Sequence, residues 1–191
     1  MNENSIISPD HMIRVHDRTF RPFITRDEIR EMVHEIAGRI NHDLAGEEVT
    51  ALVILKGAMI FASDLLRCLS MPITVEFCKA SSYGNGITST GSLDMDGLFV
   101  DVTGKSVLII EDIVDTGTTI RELIKHISGF QPKSITVASL LSKPSVHSET
   151  LTIDYVGREI APDFVVGYGM DYASQGRQLD AIWVLAEDPI A

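Results

Sequence analysis

The chain lacks an apolar run long enough to cross a membrane. A membrane-spanning helix needs about 20 consecutive apolar residues, and no such run occurs among the 191 residues. The first residues, MNENSIISPDHMIRVHD, are polar and contain no hydrophobic core of the kind that signal peptides carry. The sequence therefore predicts no membrane partner and residence in the cytoplasm.

Basic residues are few relative to acidic ones. The chain has 16 Lys and Arg against 27 Asp and Glu, which gives a formal net charge of −11 at pH 7. A general surface for nucleic acid or anionic membranes needs an excess of positive charge, so this composition argues against both partners. An anionic substrate would have to be held by a few local contacts.

Cysteine is also scarce. The two cysteines of the sequence, Cys68 and Cys78, do not have the close spacing of a metal site. Because disulfides are rare in the cytosol, we expect both to be reduced, partly buried thiols.

What the chain does contain is an alternation of strand and helix patterns. Thr25 begins a capping box ahead of an amphipathic helix of about five turns, which Gly46 ends. A second helix should end near Leu69 and a third should cover about 118–128. Strands are predicted at 49–55, 73–80, 105–111, 134–141, 151–156, 164–168 and 181–186.

This order of elements predicts the fold class. Strands that alternate with helices give an α/β fold with a mostly parallel sheet flanked by helices. The length suits one domain, residues 1–191. The N-terminal segment and the last strands are expected to form a small cap, or hood.

The most informative segment is residues 107–119, VLIIEDIVDTGTT. An apolar run typical of a buried parallel strand leads into the carboxylates of Glu111 and Asp112. Asp115 follows, and a loop of small residues, Thr116-Gly117-Thr118-Thr119, begins a helix. Open α/β sheets bind ligands at the carboxyl ends of their strands. The negative charge suits a sugar or a metal ion, and the N–H and O–H groups of the loop suit a phosphate.

Other interpretations of this segment explain less of it. No lysine follows the glycine as in a Walker A loop, and the glycine spacing of a dinucleotide-binding turn is missing. A response-regulator receiver also has acidic residues at strand ends, but it gives no reason for the hydroxyl-rich loop. A simple acidic helix start, with Asp115 or Thr116 as N-cap, does not explain why Glu111 and Asp112, which repel each other, stand together.

A ribose 5-phosphate accounts for all parts of the segment. Adjacent carboxylates can accept hydrogen bonds from two vicinal hydroxyls, directly or through Mg²⁺, while residues 116–119 surround the 5-phosphate. The segment resembles the binding signature of the type I phosphoribosyltransferases, which use 5-phosphoribosyl 1-pyrophosphate. The resemblance implies their fold and a site for this donor that includes Asp115 beside Glu111, Asp112 and residues 116–119.

Two further segments resemble parts of the hypoxanthine-guanine branch of that family. Residues 55–58, LKGA, resemble its pyrophosphate loop, which implies that Lys56 and Gly57 bind pyrophosphate; relatives often have a cis peptide there. Residues 81–97 resemble its mobile lid, in which Ser82 and Tyr83 would help to exclude water from an oxocarbenium-like transition state. Composition alone equally allows residues 55–58 to be a plain strand–helix turn, and residues 81–97 to be a flexible surface loop.

The same resemblance implies a purine site. Lys143 would donate to the 6-oxo group of the base, which favours hypoxanthine and guanine over adenine. Phe164 would stack on the purine, and the backbone of Val165 would bond its edge. Asp171 would hold a Mg²⁺ that carries pyrophosphate, with Arg177 close to the pyrophosphate.

The sequence departs from the family pattern in two places. Asp163 directly precedes Phe164, where relatives usually have one more residue, often lysine. Residues 173–179 also lack aromatic residues that are common there. Both departures concern the choice of base rather than the ribosyl chemistry.

The resemblance covers about residues 20–186 and implies Mg²⁺-dependent transfer of the 5-phosphoribosyl group to a 6-oxopurine, giving IMP or GMP and pyrophosphate. Asp115 would be the general base at purine N7, and Glu111, Asp112 and Asp171 the metal ligands. Relatives form dimers and tetramers, so a homodimer or homotetramer is expected.

Two alternatives remain from the sequence. One is a transferase for xanthine or another base. The other is a regulator that senses the donor and binds nucleic acid or protein. The net charge of −11 and the presence of Lys143, Phe164 and Asp171 favour the enzyme.

Overall fold

The computed structural model describes residues 12–81, 92–94, 101–146 and 151–186. The helices of these ranges are α1 (Arg26–Asp43), α2 (Met59–Leu66) and α3 (Thr118–Ser128). The strands are β1 (Ile13–Val15), β2 (Arg18–Ile24), β3 (Val49–Leu55), β4 (Ile73–Ser81), β5 (Ser92–Asp94), β6 (Ser106–Val114), β7 (Ser134–Ser142), β8 (Tyr155–Glu159), β9 (Val165–Val166) and β10 (Ile182–Leu185).

The strands form two sheets. The larger has the order β5-β4-β3-β6-β7-β8, with β4, β3, β6, β7 and β8 parallel and β5 antiparallel to β4. The smaller is antiparallel, with the order β1-β2-β10-β9. It joins the first strands of the chain to the last, so the prediction of an α/β fold with a small hood is confirmed.

Both faces of the larger sheet are covered, because successive residues of a strand point to opposite sides. Ala51 and Val53 of β3 belong to the core that α1 and α2 complete. Leu52 and Ile54, between and after them, belong to the core that α3 completes. A strand buried on both faces has to be apolar throughout, which explains why the sequence of β3 predicts its bounds correctly.

The first helix begins and ends as the sequence predicts. Thr25 N donates to Glu28 Oε2 at 2.8 Å, and Glu28 N donates to Thr25 Oγ1 at 3.3 Å, which completes the capping box. Gly46 has a φ of 81°, a left-handed conformation that glycine adopts without strain.

The structure differs from the predicted strands in several places, and the strand predicted at 164–168 is only Val165–Val166. β8 begins at Tyr155 instead of residue 151, because Leu151 is buried in the core beside α3 without pairing in the sheet. β6 continues to Val114 through its pairing with β7, so Glu111 and Asp112 lie within the strand and Asp115 directly follows it. β5, which lies inside the predicted lid 81–97, pairs with the end of β4 and has no apolar pattern that could predict it.

The end of α2 and the two cysteines lie close to their predicted states. α2 ends at Leu66, three residues before the expected end. Cys68 and Cys78 are free, and burial raises the pKa of the Cys78 thiol to about 12. Ser82 and Tyr83 lie outside the described residues. In the described ranges, no helix has the length and apolarity that a membrane span requires.

Candidate active site

The predicted site lies where three neighbouring parallel strands end. Lys56 and Gly57 follow β3, Asp115 follows β6, and Lys143 follows β7. Because β3, β6 and β7 are adjacent and parallel, their carboxyl ends meet at one edge of the sheet. This edge is where ligands bind in open α/β sheets.

Glu111 and Asp112 lie beyond the last residue of β6 that pairs with β3. That pairing ends at Val53 and Ile110, while pairing with β7 continues, and the Asp112 carboxylate stands beside Gly57 in the loop that follows β3. Both are buried, with 8% and 9% of their surfaces exposed. Glu111 Oε1 accepts from the backbone N–H of Asp112 at 3.2 Å, and Asp112 Oδ1 accepts from that of Ile113 at 3.0 Å.

The protonation of this pair reflects its surroundings. Burial raises the pKa of Glu111 well above its usual range, and the negative charge of Asp112 raises it further. Burial also raises the pKa of Asp112, although hydrogen bonds from the Glu111 side chain and the backbone act in the opposite direction, and the positive charge of Arg177 adds to them. Within the described ranges, neither carboxylate forms an ion pair, so a bound cation or hydroxyl donor would stabilise the charged forms.

Glycine allows the loop after β3 to approach Asp112 closely. A Cβ on Gly57 would overlap the carboxylate of Asp112, and a Cβ on Gly169 would overlap the carbonyl oxygen of Gly57. Gly169 also has a φ of 103°, which other residues rarely adopt. The peptide between Leu55 and Lys56 is cis, as the resemblance implies, and Lys56 is exposed.

Arg177 connects Asp171 to Gly169, the residue that closely approaches Gly57. Its Nη2 lies 2.5 Å from Asp171 Oδ1, and its Nη1 donates to the carbonyl of Gly169 at 2.7 Å. Asp171 Oδ2 accepts from the backbone N–H of Ser174 at 2.7 Å. The structure therefore brings together Gly57, Asp112, Asp171 and Arg177, four of the residues that the sequence assigns to the donor and its metal.

The loop 116–119 leads into α3 with its hydroxyl groups close together. Gly117, the N-cap, has a φ of 72°. Thr116 Oγ1 and Thr118 Oγ1 are 3.1 Å apart, and Thr118 N donates to Thr116 Oγ1 at 3.4 Å. Backbone N–H groups at a helix N-terminus are suited to an anion, and here they stand beside two hydroxyls.

Arg121 also contacts this loop, although sequence reasoning did not include it. Its Nη1 donates to the carbonyl of Thr116 at 3.1 Å, and its Nη2 donates to Thr118 Oγ1 at 3.2 Å. The signal in the sequence is a basic residue three positions after Thr118, since residues so spaced share one face of a helix.

Lys143 and Asp115 are in contact at the ends of β7 and β6. Lys143 Nζ lies 3.2 Å from Asp115 Oδ2. The backbone N–H of Lys143 donates to the carbonyl of Val114 at 2.9 Å, which extends the strand pairing to the site. The lysine side chain is 9% exposed and the carboxylate 55% exposed, so the ammonium is held while the carboxylate can meet a ligand.

The hood positions Phe164 and Val165. The ring of Phe164 packs edge-on against Tyr172, with centroids 5.7 Å apart, and lies 6.4 Å from the ring of Phe20. Phe164 is partly exposed, whereas Val165 is buried in β9. Asp163 is exposed directly before them, so the missing residue of the family pattern would fall at the surface.

The described residues contain no cluster of three His, Cys, Asp or Glu side chains that could hold a metal ion. Mg²⁺ is commonly bound by one or two carboxylates together with phosphate oxygens of the substrate. Asp171 is suited to that arrangement, because its side chain is 27% exposed and offers oxygen ligands.

Comparison with known proteins decides the family. The family described as "Phosphoribosyl transferase domain" matches residues 25–173. The chain belongs to the phosphoribosyltransferase family. The fold of this phosphoribosyltransferase is accordingly the type I fold, with a five-stranded parallel sheet and a hood. The predicted family, fold class and enzyme class are confirmed.

The phosphoribosyltransferase has named relatives along most of its length. The hypoxanthine-guanine phosphoribosyltransferase of Mycobacterium avium is 37% identical over 169 residues, covering 85% of this chain and 83% of the relative. The hypoxanthine phosphoribosyltransferase of Haemophilus influenzae is 36% identical over 166 residues, covering 83% and 91%. The crystal structure of a hypoxanthine-guanine phosphoribosyltransferase from Bacillus anthracis matches with a TM-score of 0.80 and 37% identity, covering 91% of this chain and all of that one.

A methyl group at Gly57 should impair the phosphoribosyltransferase. In Gly57→Ala the added Cβ would overlap the Asp112 carboxylate, so the loop and the carboxylate have to move apart. Because displacements of about 1 Å in a site can cost about 100-fold in rate, we expect kcat/KM for nucleotide formation to fall by about that factor. Steady-state kinetics of the purified variant measures this.

The matched control is Gly38→Ala in α1. A Cβ at Gly38 would meet nothing within 4 Å, and alanine is preferred over glycine in a helix by about 1 kcal/mol. This variant should keep full activity and unfold at a slightly higher temperature. A folded Gly57→Ala enzyme with the activity of the Gly38→Ala control would contradict the assignment of the close contact to the site.

Proposed function

We propose that this enzyme transfers the 5-phosphoribosyl group of 5-phosphoribosyl 1-pyrophosphate to hypoxanthine and guanine, giving IMP or GMP and pyrophosphate in purine salvage. The observation that carries the proposal is the contact of a buried ammonium, Lys143, with an accessible carboxylate, Asp115, at 3.2 Å. A 6-oxopurine has its O6 acceptor and its N7 position on one edge. A donor and an acceptor held side by side match that edge.

The same pair supports the choice of base. Lys143, which already donates to Asp115, can also donate to a 6-oxo group, whereas the 6-amino group of adenine is itself a donor and would face the ammonium with no acceptor. A buried polar group without a partner discriminates strongly between ligands. Phe164, partly exposed and held by the hood, is the proposed stacking partner, and the backbone of Val165 the proposed contact to the base edge.

The donor would lie across the strand ends. The N–H and O–H groups of residues 116–119 would bind its 5-phosphate, and Glu111 and Asp112 its ribose hydroxyls. Lys56, Gly57 and Arg177 would bind its pyrophosphate. This division is supported by the hydroxyl pair at the start of α3 and by the buried, mutually repelling carboxylates.

Mg²⁺ is the proposed cofactor, and the residues present fit it. Asp171 offers carboxylate oxygens beside Arg177, and Glu111 and Asp112 are buried carboxylates whose charged forms a cation would stabilise. When bound, the metal ion would neutralise the charge of the leaving pyrophosphate.

The protein groups have distinct proposed roles in the transfer. Asp115 would take the proton from purine N7 as general base. Glu111 and Asp112 would hold the ribose and stabilise the positive charge that develops on it. Residues 81–97 remain the predicted lid, with Ser82 and Tyr83, and closing it would exclude water from the reacting ribosyl group.

A base panel tests the proposal. The enzyme is incubated with the phosphoribosyl donor, Mg²⁺ and one of hypoxanthine, guanine, xanthine or adenine, and nucleotide formation is followed by absorbance. We expect turnover of hypoxanthine and guanine and little of adenine. Turnover of xanthine alone would favour the alternative transferase. Binding of a nucleic acid at moderate salt without any turnover would favour the regulator.

The quaternary structure and location are parts of the same proposal. We propose a homodimer or homotetramer, acting in the cytoplasm on small-molecule substrates. Light scattering on the eluting peak of a gel-filtration column gives the mass directly, and the mass of a single chain at micromolar concentration would contradict the proposed assembly.

A further inference from the structure

Arg121 connects the first turn of α3 to the loop that precedes it. Its guanidinium donates to the Thr116 carbonyl at 3.1 Å and to Thr118 Oγ1 at 3.2 Å. The group is planar and rigid, so its two bonds hold the loop residue Thr116 against Thr118, the first residue of α3. The loop therefore has a defined shape without help from a ligand.

These bonds also determine how Thr118 can interact. A hydroxyl donates one hydrogen and accepts at its lone pairs. Because Thr118 Oγ1 accepts from Arg121, its hydrogen remains available to be donated. Thr116 Oγ1 is 3.1 Å away and can serve as acceptor until an anion enters. Arg121 thus leaves the Thr118 hydroxyl with its hydrogen to donate, and a phosphate oxygen requires such a donor.

The charge of Arg121 is unusual for its position. A cation in the first turn of a helix is unfavourable, because the helix dipole already makes that end positive. The first turn of α3 has no acidic residue that would offset it, and the chain as a whole has a net charge of −11. An anion held at the loop would make this local concentration of positive charge favourable.

We propose that Arg121 is a positioning residue for the 5-phosphate: it orders residues 116–119 before the donor binds and directs the Thr118 hydroxyl to it. The inference rests on the proposed function of the loop. It predicts a selective effect, in which ligands with a 5-phosphate lose affinity and ligands without one do not.

The test compares Arg121→Met and Arg121→Lys with Lys125→Met, which removes one exposed charge a turn later in the same helix. For Arg121→Met we expect the KM of the donor and the inhibition constant of IMP to rise about tenfold, a factor that corresponds to about 1.4 kcal/mol. The kcat at saturating donor and the inhibition constant of pyrophosphate should stay within about twofold of the wild type, below what one weakened hydrogen bond produces.

Arg121→Lys and the control Lys125→Met separate a positioning role from a general structural effect. Arg121→Lys keeps the charge but has no fork to bond two groups, so it should restore donor affinity only in part, and Lys125→Met should match the wild type. An unchanged KM for the donor in Arg121→Met would overturn the inference. So would an equal loss of affinity for IMP and pyrophosphate.

Calorimetric titration of each variant with ribose 5-phosphate makes the test independent of turnover. If the wild type binds ribose 5-phosphate and Arg121→Met binds it more weakly, the role of Arg121 stands even when no base is converted. If the wild type makes IMP and both proteins bind ribose 5-phosphate equally, the proposed function stands and the role of Arg121 is wrong.

Discussion

Asp115→Asn is expected to lower the kcat of IMP formation by about 100- to 1000-fold, within the range that general bases contribute. Asparagine keeps the shape of the side chain, and its amide oxygen can remain near Lys143, but it cannot take a proton from purine N7. The binding of the donor should weaken far less than turnover, since most of the proposed donor contacts lie on residues other than Asp115. Steady-state kinetics for kcat and calorimetry for donor affinity measure the two effects separately.

Asp27→Asn is the matched control. Asp27 lies in the first turn of α1, with 84% of its side chain exposed, and its variant should retain the kinetics of the wild type. If Asp115→Asn lost donor affinity by the same factor as kcat, the residue would act in binding and the assignment as general base would be wrong.

Lys143→Met should have the second largest effect. The change removes the buried ammonium and keeps an unbranched side chain, so the 6-oxo group of the base loses its proposed donor. We expect kcat/KM for hypoxanthine and guanine to fall at least about 100-fold, because the site then contains an unmatched polar group of the substrate. The KM of the phosphoribosyl donor should change far less.

The specificity of the variant distinguishes recognition from general damage. The ratio of hypoxanthine to adenine turnover should fall in Lys143→Met, while Lys105→Met, at an exposed position, should leave it unchanged. An unchanged ratio with a lower rate for every base would contradict the proposed contact to the 6-oxo group. Because Lys143 and Asp115 are in contact, the double variant should lose less than the sum of the two single losses.

Much of the fold follows from local patterns in the sequence. The bounds of β3 and α3 are predicted correctly, since β3 is a run of apolar residues between two turns and α3 has a strongly apolar side. The start of β8 and the presence of β5 are not predicted, for opposite reasons. Leu151 is apolar because it is buried beside α3 and not because it pairs in a strand, whereas Ser92–Asp94 pairs through its backbone without an apolar pattern.

The sequence likewise predicts part of the candidate site and misses the rest. A motif in one segment, such as residues 111–119, predicts which residues gather at a strand end. It does not predict that Gly57 approaches Asp112 or that Lys143 contacts Asp115, because these contacts depend on the order of strands in the sheet. Arg121 was missed because its spacing from Thr118 shows that the two residues share a helix face but does not show which loop groups the long side chain bonds.

The most direct measurement incubates the enzyme with hypoxanthine, 5-phosphoribosyl 1-pyrophosphate and Mg²⁺ and quantifies both products by mass spectrometry and phosphate analysis, beside Asp115→Asn. We expect IMP and pyrophosphate in equal amounts from the wild type and a much slower, equally balanced reaction from the variant. Release of pyrophosphate without IMP, or no nucleotide from the folded wild-type enzyme, would contradict transfer of the ribosyl group to a 6-oxopurine at this site.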